Sequence, residues 1–398
     1  MRNIVCDVPA LRFPEFIKSW ECSILEKLSK KIGDGIHSTP SYDDNGTFYF
    51  INGNNLNGGK IVITSSTKRV SEKEAYKNNA ENLEANSILM SINGTIGNVA
   101  LYHNEPIMLG KSACYINSKD NIDKNYLFYY LQYPKTQLYF EAELTGTTIK
   151  NLSLQSIRKT KIYIPTIEEQ HKISRFLQKI DERISTQNKI IEKLETLIKG
   201  IVDSIFTANE FPKVPFKEIY VRAGEGGTPA TSNPEYYDNG TIPFIKIDDL
   251  QNKYIKTNKD CITELGLQKS SAWIVPANSI IYSNGATIGA ISINLFPVCT
   301  KQGILGVVPK ADINVEFLYY FMTSTAFTKA VERIVTEGTM RTAYLKDINH
   351  IPCPVPYPVK QDEIAKMLST LSEKLENEVI FQMKLQKRKE FLLSQMFI

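Results

Sequence analysis

Side chains that could carry out chemistry are few in this chain, and they are scattered. Its four histidines (His37, His103, His171, His350) include no pair at the spacing that puts two imidazoles on one helix face, so a metalloenzyme is not expected. No Asp or Glu is followed two positions later by Lys, which removes the acidic-x-Lys core of a metal-dependent nuclease. A Gly-x-x-x-x-Gly-Lys-Ser/Thr phosphate loop is also missing, against an ATP-driven translocase. Asn233-Pro234-Glu235-Tyr236 has the outline of the Asn-Pro-Pro-Tyr motif of amino-methyltransferases. It carries Glu at the second proline and follows no glycine-rich cofactor loop, and it reads as a turn. What remains is the chemistry of binding.

The elements that would position binding groups are plainer. Ile173, Leu177, Ile180, Ile184, Gln187, Ile191, Leu194, Ile198, Ile201 and Ile205 alternate four- and three-residue steps, the seam of a coiled coil. The same seam recurs 191 residues later on Ile364, Leu368, Leu371, Leu375, Glu378, Gln382, Leu385, Lys389, Leu392 and Met396. Pro165 and Gln170 match Pro356 and Gln361 at that shift. Between the seams, Ser87, Ile88, Ser91, Thr95, Ile96 and Gly97 return 192 residues on as Ser279, Ile280, Ser283, Thr287, Ile288 and Gly289. Repetition at so many separate points marks an internal duplication. The expected fold is α+β: two similar mixed α/β domains (1–166 and 207–357) separated by two long helices (167–206 and 358–398) that form an antiparallel coiled coil, with a pseudo-twofold repeat.

Within the copies, residues 31–42 read as a glycine loop, 48–51 and 61–63 as short strands, and 64–77 as a polar, basic segment. Ser87 to Ala100 reads as a hairpin turning at Asn93-Gly94. The six cysteines lie far apart and are expected as reduced, mostly buried thiols. With a net charge of only +4, the chain would grip nucleic acid weakly by itself. No signal peptide or membrane span is apparent, so a cytoplasmic protein with no membrane partner is expected.

Gly33-Asp34-Gly35-Ile36-His37-Ser38-Thr39-Pro40, Gly226-Gly227-Thr228-Pro229 and the Ile-Pro lead-in from Ile164 to Gln170 and His171, set in this duplicated order, resemble the specificity subunit of type I restriction-modification systems. The resemblance covers essentially the whole chain. It implies that each globular domain is a target recognition domain reading one half of a split, asymmetric double-stranded DNA sequence, and that the chain itself is not an enzyme. It also implies partners: two adenine-methylating subunits and, for restriction, two ATP-dependent nuclease-translocase subunits. No cofactor is then expected on this chain, with S-adenosylmethionine, ATP and magnesium on the partners.

If the chain binds DNA, the candidates are long polar side chains on loops bordered by small residues. In the first copy these are Lys68, Arg69, Lys111, Thr147 and Lys150; in the second, Lys246, Lys301, Gln302 and Arg341. A helix of about 37 residues spans about 55 Å, or roughly 16 base pairs, so the helices would act as a ruler between half-sites. Full-length antiparallel pairing sets Gln187 opposite Gln382, expected as a polar layer fixing register. Two other readings stand beside this one: a self-associating coiled-coil scaffold for proteins, and the recognition region of a single-chain restriction-methylation enzyme.

Overall fold

A computed structural model describes residues 8–78, 80–146, 150–208, 211–285, 287–335 and 341–398. It divides into two compact units, Met1–Gln187 with Phe381–Ile398, and Asn188–Ile380. The division falls within the long helices rather than at their ends.

The first unit holds a four-stranded antiparallel sheet in the order Ser29–Asp34, Ala113–Ser118, Ser87–Ser91, Val99–Leu101. A small mixed sheet (Arg69–Val70, Phe48–Ile51, Ile107–Leu109) lies on one face. Helices Lys124–Leu131 and Pro134–Ala142 contribute to the core on the other face. Strand periodicity, with a core on each face of the sheet, explains why the central strands are buried throughout. Ile88, Met90, Cys114 and Ile116 enter the core shared with the helices, whereas Leu89, Ala113 and Tyr115 enter the core shared with the small sheet.

The second unit repeats the plan. Its sheet runs Tyr220–Glu225, Ile304–Pro309, Ile280–Ser283, Ile291–Asn294, with Tyr254–Ile255 added in parallel at the edge. Its small sheet is Asp260–Ile262, Ile242–Ile245, Cys299–Thr300. Its helices are Val315–Thr323 and Thr325–Ile334.

Two local expectations need correction. The glycine loop begins inside a strand, since Lys31 to Asp34 pair with Cys114 to Asn117; Gly33 fits because a Cβ there would stand 2.5 Å from the Tyr115 hydroxyl. Strands Ser87–Ser91 and Val99–Leu101 do pair, but residues 92–98 connect them, so Asn93-Gly94 is one corner of a longer loop, with Gly94 and Gly97 at positive φ. The polar, basic segment 64–77 is mostly exposed and contains the strand Arg69–Val70 and the helix Glu72–Lys77, capped by Ser71. Of the described cysteines, all free, Cys114, Cys299 and Cys353 are buried and Cys22 is exposed.

The long helices are Ile167–Thr207, the central helix, and Pro358–Met396, the closing helix. Every position of both seams is buried or half-buried, including Ile184, Gln187, Ile191, Leu194, Leu371, Leu375, Gln382 and Leu385. In the first unit, Ile173, Leu177 and Ile180 share a core with Leu392, Leu393, Met396 and Phe397. In the second, Ile198, Ile201, Val202, Ile205 and Phe206 share one with Ile364, Ala365 and Leu368. The start of one helix thus meets the end of the other in each unit, which is antiparallel pairing.

The repeat extends to the joints. Gln170, buried, accepts from the Asp123 N–H at 3.0 Å and donates to the Pro165 carbonyl at 3.0 Å. Gln361 accepts from the Asn314 N–H at 2.9 Å and donates to Pro356 O at 2.8 Å and Asp312 O at 3.1 Å. Each glutamine, itself buried, therefore hooks its helix to the start of a globular helix through main-chain groups. We expect Gln361→Ala to destabilise the second unit by about 1–3 kcal/mol, the cost of buried polar groups left unsatisfied; denaturant unfolding of the full chain would measure it.

Candidate nucleic-acid interface

Sheet register determines where the loops gather. In the first unit, Asp34 lies opposite Cys114 and Ser91 opposite Ala113, so two strands end where a third begins. The loops that follow are tied together there. Ile36 N–H donates to Leu109 O (3.0 Å), Ile92 N–H to Ser112 O (3.0 Å) and Leu152 N–H to Ile92 O (2.9 Å). A Cβ on Gly35 would stand 2.2 Å from the Leu109 carbonyl oxygen, so this approach requires glycine. Lys111 projects from the cluster, exposed, and exposed Lys150 adjoins Asn151, which bridges to Asn93. Thr147 lies outside the described residues. Lys68 and Arg69, both exposed, stand instead on the edge of the small sheet, where the Arg69 guanidinium lies 4.9 Å over the Tyr49 ring.

The second unit builds the matching cluster. Glu225 and Ser283 end beside Leu305 and Ile304, and Gly226 N–H donates to Ile304 O (2.9 Å). Lys301 N–H donates to Ile245 O (3.0 Å), and Gln302 N–H to the Thr228 hydroxyl (3.3 Å). Ala343 exchanges hydrogen bonds with Asn284, which carries exposed Arg341 to the same end. Lys301 and Gln302 are exposed. Lys246 follows Ile245 directly, but it is half-buried and its ammonium is paired with Asp260 at 2.9 Å, leaving less of its charge for an outside anion.

Several participants escaped the sequence reading. Exposed His37 pairs with Asp34 at 2.8 Å beside the first cluster. Asn52 accepts from the Ser112 hydroxyl, which itself accepts from Gly53 N–H, and so braces the turn that carries Lys111. The second cluster has Lys246 where the first has Asn52, each directly following the central strand of its small sheet. Among the described residues, the buried side-chain oxygens of Asn93, Ser283 and Asn284 have no hydrogen-bond partner in the chain.

Away from the loops, each unit has a polar clasp between globular part and helices. In the first, Lys389 of the closing helix reaches Asp181 of the central helix at 2.7 Å, the Tyr129 hydroxyl donates to the same carboxylate at 2.8 Å, and Lys389 lies 5.6 Å over the Tyr129 ring. Burial and the Asp181 charge push the Tyr129 hydroxyl far up, so it stays a donor. In the second, Lys253 donates to the hydroxyls of Ser369 (2.8 Å) and Tyr320 (3.1 Å) and pairs with Glu316 (3.2 Å), under the Tyr254 and Tyr320 rings.

Burial alone would raise the Glu316 carboxyl. Hydrogen bonds from Ser369 and Tyr254 and the Lys253 charge outweigh it and hold the group below its ordinary value. A depressed carboxyl stabilises fully above the unfolded value, about 4.3, and the contribution is lost as pH falls through the folded value. The thermal midpoint of the second unit should therefore fall on acidification below about pH 4.3 more steeply in the native chain than in Glu316→Gln. Parallel melting curves would contradict this.

Among the described residues, no group of three or more His, Cys, Asp or Glu could hold a metal ion, and no helix is long and apolar enough to cross a membrane. Two copies of one sheet-and-helix plan, each offering a loop cluster from the same sheet end and each clasped to paired helices, define a duplicated recognition scaffold. The family model described as the type I restriction modification DNA specificity domain matches residues 18–196 and 213–384, and the chain belongs to that family.

Relatives agree with this. A type I restriction enzyme MjaIX specificity subunit of Methanocaldococcus jannaschii is 29% identical over 46% of this chain and 44% of its own length. The MjaVIII specificity subunit of the same organism is 24% identical over 79% of this chain and 77% of its own. This chain thus spans less than half of the first of these relatives and about three quarters of the second. Among solved structures, a type I restriction-modification S subunit from M. genitalium superposes with a TM-score of 0.57 at 18% identity, over 98% of this chain and 99% of that one. A chain from a study of complex assembly and conformational transition of the type I R-M system gives 0.61 at 15% identity, over 96% and 98%. These likenesses show the fold.

Proposed function

We propose that this chain is the sequence-reading, non-catalytic subunit of a type I restriction-modification complex. On this reading residues 1–166 and 207–357 are target recognition domains, each taking one half of a split DNA target through its loop cluster. The paired helices set the spacer and dock two methyltransferase subunits, with two nuclease-translocase subunits added where restriction occurs. S-adenosylmethionine, ATP and magnesium would be bound by those partners, and the complex would work on cytoplasmic DNA. The observation that carries the proposal is the recurrence of exposed cationic or amide side chains at matching sheet ends: Lys111 and Lys150 in one unit, Lys301, Gln302 and Arg341 in the other. Such side chains suit phosphates and base edges.

The test is co-expression with the methyltransferase subunit encoded beside it, followed by mapping of methylated adenines across the host DNA. A bipartite motif that disappears when this chain is omitted supports the proposal. Methylation unchanged without the chain, or a continuous motif, overturns it in favour of a protein-binding scaffold.

A further inference from the structure

We propose that Lys389 and Lys253 are positioning residues that set the angle at which each recognition domain is held on the helices of its own unit, and through that angle the bases its loops meet. The proposal rests on the DNA-recognition reading above.

Both lysines are drawn out of water, with side chains 20% and 12% exposed, although lysine ordinarily keeps its ammonium in solvent. Packing does not require either of them. Lys389 holds a seam position that an apolar side chain would fill, as Ile198 does at the matching place in the other copy. The two clasps are also unlike each other: Asp181 corresponds in the repeat to Ser372, and the second lysine comes from the globular part rather than from a helix. The tyrosine bond is part of the duplicated plan, since Tyr320 meets Ser372 at 2.9 Å as Tyr129 meets Asp181 at 2.8 Å, so it is the lysines that are additions to one copy each.

Rigid-body geometry gives the addition a role. In the first unit the globular part meets the helices at the Gln170 hook, at Glu169, which accepts from Arg12 and Trp20, at Ser174, which donates to Asp123, and at Phe397, which sits among the rings of Tyr126, Tyr130 and Tyr133. All of these lie close to the start of the central helix or the end of the closing helix. Asp181 and Lys389 lie further along both helices, so the Tyr129 bond and the Lys389 contact hold the globular part on a longer lever arm from that joint. The Gln361 hook, the Phe206 contacts with Phe317 and Phe321, and Lys253 repeat this arrangement in the second unit. A buried ion pair is a costly way to add stability and a directional way to fix geometry.

The full chain, co-expressed with its methyltransferase subunit, tests this by methylation mapping. Lys389→Met keeps the aliphatic stem and removes the charge. It should relax one half-site, admitting a second base at one position or a spacer one base pair different, to at least a tenth of the native level. Lys253→Met should relax the other half-site, and Lys389→Arg should restore the native motif. A merely structural role would lower methylation without changing the motif. Should the methionine variants not accumulate, Tyr129→Phe and Tyr320→Phe, which lose only a hydroxyl, decide by the same criterion. Variants that methylate the native motif alone, at any level, overturn the proposal, as does relaxation of the same half-site by both. A native chain that yields no split motif overturns the recognition reading itself, before any variant is compared.

Discussion

Phe397→Ala is expected to lower the stability of the first unit by about 3–5 kcal/mol, the usual cost of emptying an aromatic site in a packed core. The ring is 3% exposed, lies 5.3–5.9 Å from three tyrosine rings, and precedes Ile398, whose carbonyl accepts from Tyr130 at 3.1 Å. It joins the end of the closing helix to a globular core more than 260 residues away in sequence. Loss of the ring should therefore loosen both the helix end and strands Ser87–Ser91 and Ala113–Ser118, which share its core. Hydrogen exchange of the full chain would localise the effect, with protection falling in those strands and not in strands Ile280–Ser283 and Ile304–Pro309 of the second unit. Phe391→Ala, at a ring 60% exposed on the same helix, should change stability by less than about 0.5 kcal/mol. Equal effects of the two variants would contradict the assignment of Phe397 as an anchor.

Gly226→Ala is expected to weaken reading by the second loop cluster strongly while both globular cores stay folded. A Cβ at Gly226 would stand 1.9 Å from the Thr300 carbonyl oxygen and 2.3 Å from its hydroxyl. The nearest clash is with backbone, so no rotamer change relieves it. The loop and strand Cys299–Thr300 must separate, and that strand leads directly to Lys301 and Gln302. Displacing two contacts at about 1–3 kcal/mol each should reduce methylation of the native motif on the order of 100-fold. The measurement is methylation by the co-expressed complex, with Gly200→Ala, where the added Cβ meets nothing within 4 Å, as the control. Native-level methylation by Gly226→Ala would remove this cluster from the recognition surface.

Much of the architecture was legible because it is periodic or repeated. A seam of three- and four-residue steps has one physical reading, and each of its positions is indeed withdrawn from solvent. The lead-in glutamines stood out as a matched pair, although nothing local to them said that they hook a helix to main-chain groups of a globular domain. Lys389 is a charged residue in a mostly apolar seam, and Asp181 and Tyr129 supply its reason. Of the proposed contact residues, Lys111, Lys150, Lys301, Gln302 and Arg341 gather at sheet ends. Lys68 and Arg69 stand on a sheet edge instead, and Lys246 is engaged by Asp260.

The sequence by itself determined the duplication, the two long helices and the positions of the glycine-bordered loops, because each is written in spacings of a few residues or in one fixed shift. The tertiary structure alone decided which loops share a sheet end, how the strand register seats Gly35 and Gly226 against neighbouring backbone, and where the lysine clasps close. Those outcomes depend on groups that are often tens to hundreds of residues apart in the chain, and only the packed core brings them within hydrogen-bond reach.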